Sequence, residues 1–197
     1  MPIKFKFRNV DKGAWMALRQ TYNLILRCED RVFGEYDITT ERHAVLMAMK
    51  HIDDPVRPTD VARWLDLSVN SVSMIIDRMV KAGLVKRVRD RKDRRTVFLS
   101  MTSKAEKAYA LASVAGWELI REILSPLSDE DKRTLIKVLE TLRDKTYGYL
   151  GSEKVAEEVK RGEMENMARL MEEAAKYESL GTPKVKCQRG GKKKAAQ

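Results

Sequence analysis

Residues 67–87 read LSVNSVSMIIDRMVKAGLVKR, and the spacing inside this stretch decides the fold. Val72, Ile75, Ile76 and Met79 recur at the three- and four-residue steps that put side chains on one face of a helix. Ser68 stands where a side-chain oxygen can accept an otherwise unpaired N–H of the first turn, so it marks the helix start. Ala82-Gly83 marks its end. The opposite face carries Val69, Asn70, Ser71, Ser73, Met74, Asp77 and Arg78. These are mostly short polar groups, not the Glu/Lys pairs of an ordinary solvated helix.

On the N-terminal side, Pro58 suits the first turn of a preceding helix, where its missing N–H is unpaired in any case. Val61, Ala62 and Leu65 form that helix's inner face, and Asp66-Leu67 breaks it. On the C-terminal side the period changes. Val97, Leu99 and Met101 alternate with Thr96, Phe98 and Ser100, which is a strand pattern, and Val85 and Val88 flank it across a charged loop. Two helices on a short turn followed by a hairpin with its tip at Asp90 to Arg95 read as a winged helix-turn-helix. The expected class is mainly α with a small β-hairpin.

The remaining chain supplies helices around this unit. From Asp11 to about Phe33, Trp15, Leu18, Tyr22 and Ile25 form a stripe that Leu24, Leu26 and Val32 widen, with Gly34 as the expected C-cap. Thr39 or Thr40 can cap a helix carrying Val45, Leu46 and Met49 inward, broken at His51 to Pro55. Thr102 caps a long helix with Ala105, Tyr109, Ala112, Gly116 and Leu119 on one face, stopped by Pro126. Ser128 and Asp131 form a capping box for a helix with Leu135, Val138, Leu139 and Leu142 expected inward, closed by 147–151. Ser152 to Tyr177 is a charged amphipathic pattern that Gly162 weakens by roughly 1 kcal/mol relative to Ala.

The formal net charge is +10, and its location is more informative than its size. Lys86 to Arg95 reads KRVRDRKDRR, a net +5, and Pro183 to Gln197 carries +6 with no acid, leaving the rest of the chain near neutral. Like charges crowded at Arg91, Lys92, Arg94 and Arg95 call for counter-charge, which a nucleic acid supplies. Asp93 can orient Arg95 by a charge-assisted pair. An oriented Arg at a hairpin tip can enter a narrow A·T minor groove, where negative potential concentrates. The polar face of the second helix suits a major groove, which admits an α-helix. Asn70 can bond an adenine edge, Ser68, Ser71 and Ser73 can bond bases or phosphates, Val69 or Met74 can touch a thymine methyl, and Arg78 completes the face.

Several classes are disfavoured. No apolar run is long enough to span a bilayer and the start is basic without an apolar signal core, so a cytoplasmic protein is expected. Cys28 and Cys187 form no disulfide framework or zinc signature, and no cofactor is expected. No Ser/His/Asp grouping, phosphate-cradling glycine loop or paired-carboxylate site emerges, so an enzyme is not expected.

Residues 10–150 resemble the MarR/SlyA family of winged-helix regulators. The resemblance rests on LSVNSVSMIIDRMVKAGLVKR followed by RDRKDRRTVFLSMTSKAEK, with Lys81-Ala82-Gly83-Leu84-Val85, Asp93-Arg94-Arg95 and Leu99-Ser100-Met101-Thr102 in order. Ser100-Met101 before Thr102 and the extension after Gly151 depart from the family pattern. The resemblance implies a sequence-specific duplex-DNA-binding transcriptional repressor acting as a homodimer on a palindromic operator. It also implies dimerisation helices at 10–34 and 103–150 around a DNA-binding lobe at about 36–102. The apolar excess on residues 11–33 and 128–150, which one small domain cannot bury, agrees. The expected organisation is therefore a domain over 1–151, an amphipathic helical extension over 152–181 and a disordered basic tail over 182–197. Members of the family commonly respond to small aromatic or phenolic ligands; Trp15, Arg19, Tyr22, His43, Met47 and Trp117 are the matching candidates for a lining, against an ordinary core role. Some relatives sense oxidants through a cysteine, but Glu29 and Asp30 disfavour a Cys28 thiolate, and a buried structural thiol is expected. The alternative reading is an architectural or weakly specific nucleic-acid-binding protein working through the wing and the tail.

Overall fold

Among the residues that the computed structural model describes (9–90, 96–149 and, singly, Arg161, Gly162, Met164, Glu165, Ala168, Arg169, Glu172 and Ala175), the chain forms six helices and one hairpin. The order is α1 (Val10–Gly34), α2 (Thr40–His51), α3 (Pro58–Trp64), α4 (Val69–Lys81), β1 (Val85–Arg89), β2 (Val97–Met101), α5 (Ser103–Leu124) and α6 (Asp129–Tyr147). The eight single residues of 161–175 are helical, and Arg169 Nη2 lies 3.8 Å from Asp53 Oδ2 in the α2–α3 loop.

Side chains start these helices where the spacing predicts. Ser68 Oγ accepts from Ser71 N–H at 3.1 Å, Thr39 Oγ1 from Arg42 N–H at 3.3 Å, and Ser128 Oγ from Asp131 N–H at 3.1 Å. Thr102 does more than cap. Its Oγ1 accepts from Ala105 N–H at 3.2 Å and donates to the Gly83 carbonyl at 2.8 Å, so the start of α5 is tied to the end of α4.

Three helix ends share one device. A residue at positive φ lets the N–H beyond it reach five residues back, satisfying a carbonyl that the last turn would leave open. Gly83 (φ 70) serves α4 with Leu84 N–H to Met79 O at 2.9 Å; Asp66 (φ 51) serves α3 with Leu67 N–H to Ala62 O at 2.9 Å; Asp37 (φ 59) serves α1 with Ile38 N–H to Phe33 O at 3.2 Å. For α1 this corrects the expectation at Gly34. That residue is still helical, and the chain reverses at Asp37, because Asp tolerates the left-handed region nearly as Asn does. The turn at Asp66 is the one between the two helices of the helix-turn-helix.

The core lies beneath that unit. It joins Phe33, Ile38, Val45, Leu46, Met49, Val56, Val61, Ala62, Val72, Ile75, Ile76, Met79, Leu84, Val85, Leu99 and, from the first half of α5, Ala105, Tyr109 and Ala112. The hairpin is antiparallel with Val85 opposite Met101 and Arg87 opposite Leu99. Leu99 N–H also donates to the Val56 carbonyl at 2.8 Å, which ties the loop before α3 to the wing.

Outside this core the apolar faces are open. Trp15, Tyr22 and Leu24 are 59–60 % exposed on α1. The α6 residues Leu135, Val138, Leu139 and Leu142, expected inward, are exposed in the single chain, as is Ile136 at 56 %. The helical spacing identifies the apolar face of α6, and among the described residues nothing covers it. Cys28, expected buried, is exposed: α1 joins the core cluster only at Val32 and Phe33, a turn further along the helix.

Where α1, α2 and α5 meet, His43 is stacked between Phe33 (ring centroids 4.3 Å apart) and Tyr109 (5.1 Å), with Nε2 3.1 Å from Ser113 Oγ. Gly116 makes room for this arrangement: a Cβ there would come 3.1 Å from Phe33 Cε1. Burial pushes the imidazole down from its ordinary 6.5 to about 4. The unfolded chain takes up a proton between those values and the folded one does not, so stability is complete above pH 6.5 and falls as pH drops towards 4. Urea midpoints should therefore fall across that range, and the double variant His43→Phe/Ser113→Ala, which removes both polar partners, should flatten the decline. An unaltered decline in the double variant would place its origin in other groups.

Candidate nucleic-acid interface

The helix-turn-helix presents α4 because its apolar stripe is committed to the core. Val72, Ile76 and Met79 are fully buried and Ile75 nearly so, and each is worth roughly 2 kcal/mol of apolar burial. With that stripe inward, Ser68, Val69, Asn70, Met74, Asp77 and Arg78 face solvent, while Ser71 and Ser73 are half-buried. Val69 and Met74 are 47 % and 60 % exposed, large for apolar side chains on a helix whose other face is sealed.

The polar groups are not equally free. Ser68 Oγ and Ser71 Oγ lie 2.8 Å apart, so the hydroxyl of Ser71 is engaged with the cap. Arg78 folds back: Nε donates to the Met74 carbonyl at 3.3 Å and Nη2 lies 3.9 Å from Glu41 Oε2 at the start of α2. Asn70 sits exposed in the first turn, where a side chain can reach a base edge.

The wing rises directly from this helix. Lys86, Arg87, Val88 and Arg89 on β1 are exposed, and Asp90 N–H donates to the Thr96 carbonyl at 3.0 Å to close the ladder. Arg91, Lys92, Asp93, Arg94 and Arg95 lie outside the described residues, as do the tail 182–197 and most of the extension 152–181. One pair that local spacing did not reveal joins the two elements: Arg87 Nη2 lies 2.8 Å from Asp77 Oδ1. Asp77 was legible as part of the polar face, but its partner comes from the returning strand ten residues on, beyond any helical or strand period.

The six residues considered for a small-molecule lining fall into two groups in one chain. Trp15, Arg19 and Tyr22 lie on the exposed face of α1. His43 and Met47 are one turn apart on α2 against the core, and Trp117 follows Gly116, the residue that touches Phe33. At 1.5 Å per residue, Trp15 is about 27 Å along α1 from Phe33, so a single chain does not gather all six.

Comparisons with known proteins agree with this geometry. Residues 36–96, which run from the end of α1 to the wing, match the model of the MarR family. The chain is 28 % identical over 121 residues to the HTH-type transcriptional regulator PecS of Dickeya dadantii, covering 59 % of this chain and 71 % of that protein. It is 34 % identical over 77 residues to the HTH-type transcriptional regulator MgrA of Staphylococcus aureus, covering 39 % of this chain and 52 % of MgrA, about half of that relative. Among solved structures, the organohalide-sensing transcriptional regulator RdhR-CbdbA1625, bound to 2,4-dichlorophenol, superposes with a TM-score of 0.68 over 78 % of this chain and 90 % of its own, at 24 % identity. That likeness establishes the fold.

Because Ser68 satisfies the first turn of α4 and holds Ser71, Ser68→Ala should cost about 1 kcal/mol of unfolding free energy, and Ser68→Gly only a few tenths. Chemical denaturation of both variants separates these outcomes; wild-type stability in Ser68→Ala would show that the hydroxyl does not act as a cap.

Proposed function

We propose that this chain, a member of the MarR family of DNA-binding transcriptional regulators, acts as a homodimer on a palindromic duplex site, most simply as a repressor. The observation that carries the reading is the pairing of two surfaces. The polar start of α4 stands beside a basic hairpin, and apolar α1 and α6 faces lie open elsewhere on the same chain. Open apolar helix faces of that kind mark a protein interface. A two-fold pairing would present two copies of α4 to successive major grooves about one helical turn apart.

Within this reading Ser68, Val69, Asn70, Ser73 and Met74 contact base edges or adjacent phosphates. Arg91, Lys92, Arg94 and Arg95 reach the neighbouring minor groove, with Asp93 orienting Arg95. Residues 10–34 and 103–150 form the dimer and about 36–102 the DNA-binding lobe, with the 152–181 extension and basic tail as appendages. Such a regulator works in the cytoplasm, beside the chromosome. A small aromatic effector is consistent with the dichlorophenol held by RdhR-CbdbA1625. In this chain the two groups of candidate residues would need a second subunit to complete one lining.

The test is selection of bound sequences from random duplexes, repeated with phenolic ligands. A palindrome preferred by roughly a thousandfold over mixed sequence is expected; uniform binding would favour the architectural alternative. Ile136→Glu places a charge on the open α6 face. It should leave the circular dichroism native, convert the dimer to monomer by light scattering and weaken palindrome binding. A wild-type monomer would refute the dimer.

A further inference from the structure

Arg57 lies on neither surface that the sequence marks for DNA, yet the fold holds it more firmly than any local pattern would suggest. It precedes α3, and its guanidinium sits over the Phe98 ring of β2, 5.7 Å from the centroid. That is within range of a cation–π contact. Its backbone is held on both sides. Arg57 N–H donates to Asp60 Oδ2 at 3.1 Å, Pro58 follows, and the preceding carbonyl, that of Val56, accepts from Leu99 N–H at 2.8 Å. Val56 itself is buried at 2 % exposure. Arg57 nevertheless remains exposed, and among the described residues no carboxylate forms an ion pair with it.

A ring that orients a guanidinium without neutralising it leaves its N–H edge available to an anion. The location says which anion. In a helix-turn-helix the second helix enters the major groove and the first crosses the sugar–phosphate backbone. A wing that reaches the adjacent minor groove straddles the strand of phosphates separating the two grooves. Arg57 stands at the joint between the first helix and the wing strand, the part of the surface that such a docking would turn towards those phosphates. The planar fork of Arg matches a phosphate's oxygens.

We propose that Arg57, oriented by Phe98, is a DNA-phosphate contact that sets the spacing between the recognition helix and the wing on the duplex. The inference rests on the DNA-binding reading above. It concerns a residue outside both the polar face of α4 and the basic run of the hairpin. Phe98 is a positioning residue: it touches the cation and not the DNA.

The experiment measures binding of the full-length protein to a mixed-sequence duplex of about three helical turns and to the selected palindrome across a salt series. Arg57→Gln keeps a stem to lie on Phe98; Arg57→Ala removes it. Both should lower the slope of log K against log salt by about 0.9, the value for one lost phosphate. Both should weaken the two duplexes by the same factor, about tenfold at moderate salt. Phe98→Leu should keep the slope, since the charge remains, and lose less affinity. Combining it with Arg57→Gln should add nothing further. Wild-type slope and affinity in natively folded Arg57 variants would overturn the assignment and leave the stack as a purely structural contact. A loss confined to the palindrome would also overturn it, since that is the mark of a base contact. A wild-type protein without salt-dependent duplex binding would overturn the DNA-binding reading itself.

Discussion

Burial of Val72, Ile75, Ile76 and Met79 is the constraint on which the rest of the structure depends. A helix has only one rotation that seals four such side chains. Once it is taken, the solvent-facing residues of α4 follow without further choice. The same burial carries the wing. The Schellman turn at Gly83 leads from Met79 to Leu84 and Val85, both in the core, so β1 leaves the helix in a fixed direction. Leu99 then brings β2 back against Val56, and Thr102 returns the chain to the carbonyl of Gly83. The groups proposed to face DNA on α4 and β1 are thus exposed side chains on a backbone that is anchored in one core at Gly83–Leu84, Leu99 and Thr102.

The polar contacts across this surface are weaker and serve a different purpose. Asp77 and Arg87 are about half-exposed, and a pair of that kind contributes little to stability, on the order of 1 kcal/mol or less. What it does is relate the angle of the strand to the angle of the helix. The stack of Arg57 on Phe98 relates the loop before α3 to the same strand. Helix, strand and loop are therefore held in register by short contacts between charged or aromatic groups at the edge of the apolar core.

His43 occupies the junction between this lobe and the longer helices. Stacked on Phe33 of α1 and Tyr109 of α5, and paired with Ser113, it is a neutral member of the core with a single polar bond. Movement of α1 or α5 relative to α2 would have to pass through that stack.

Much of the fold was legible because its signals are local. A cap and its acceptor lie three residues apart, an inner helical face repeats at three and four, and a strand face at two, so Ser68, Thr102, Ser128, the α4 stripe and the hairpin could be read directly. Periodicity says which face of a helix is apolar but not what covers it. Hence the spacing marks Leu135, Val138, Leu139 and Leu142 as an inner face, although the described residues leave them open. Nothing local to Cys28 says where along α1 the core begins, and a glycine at 34 signals a stop although Asp37 provides the reversal. The sequence by itself determined the elements, the caps that start α4, α5 and α6 and the side of α4 that meets solvent, since each rests on interactions within a turn or two of chain. The tertiary structure alone decided that Asp77 meets Arg87, that Phe98 carries Arg57 and that His43 is clasped by Phe33 and Tyr109. Those partners are distant in sequence, and only packing of the shared core brings them within a few ångströms.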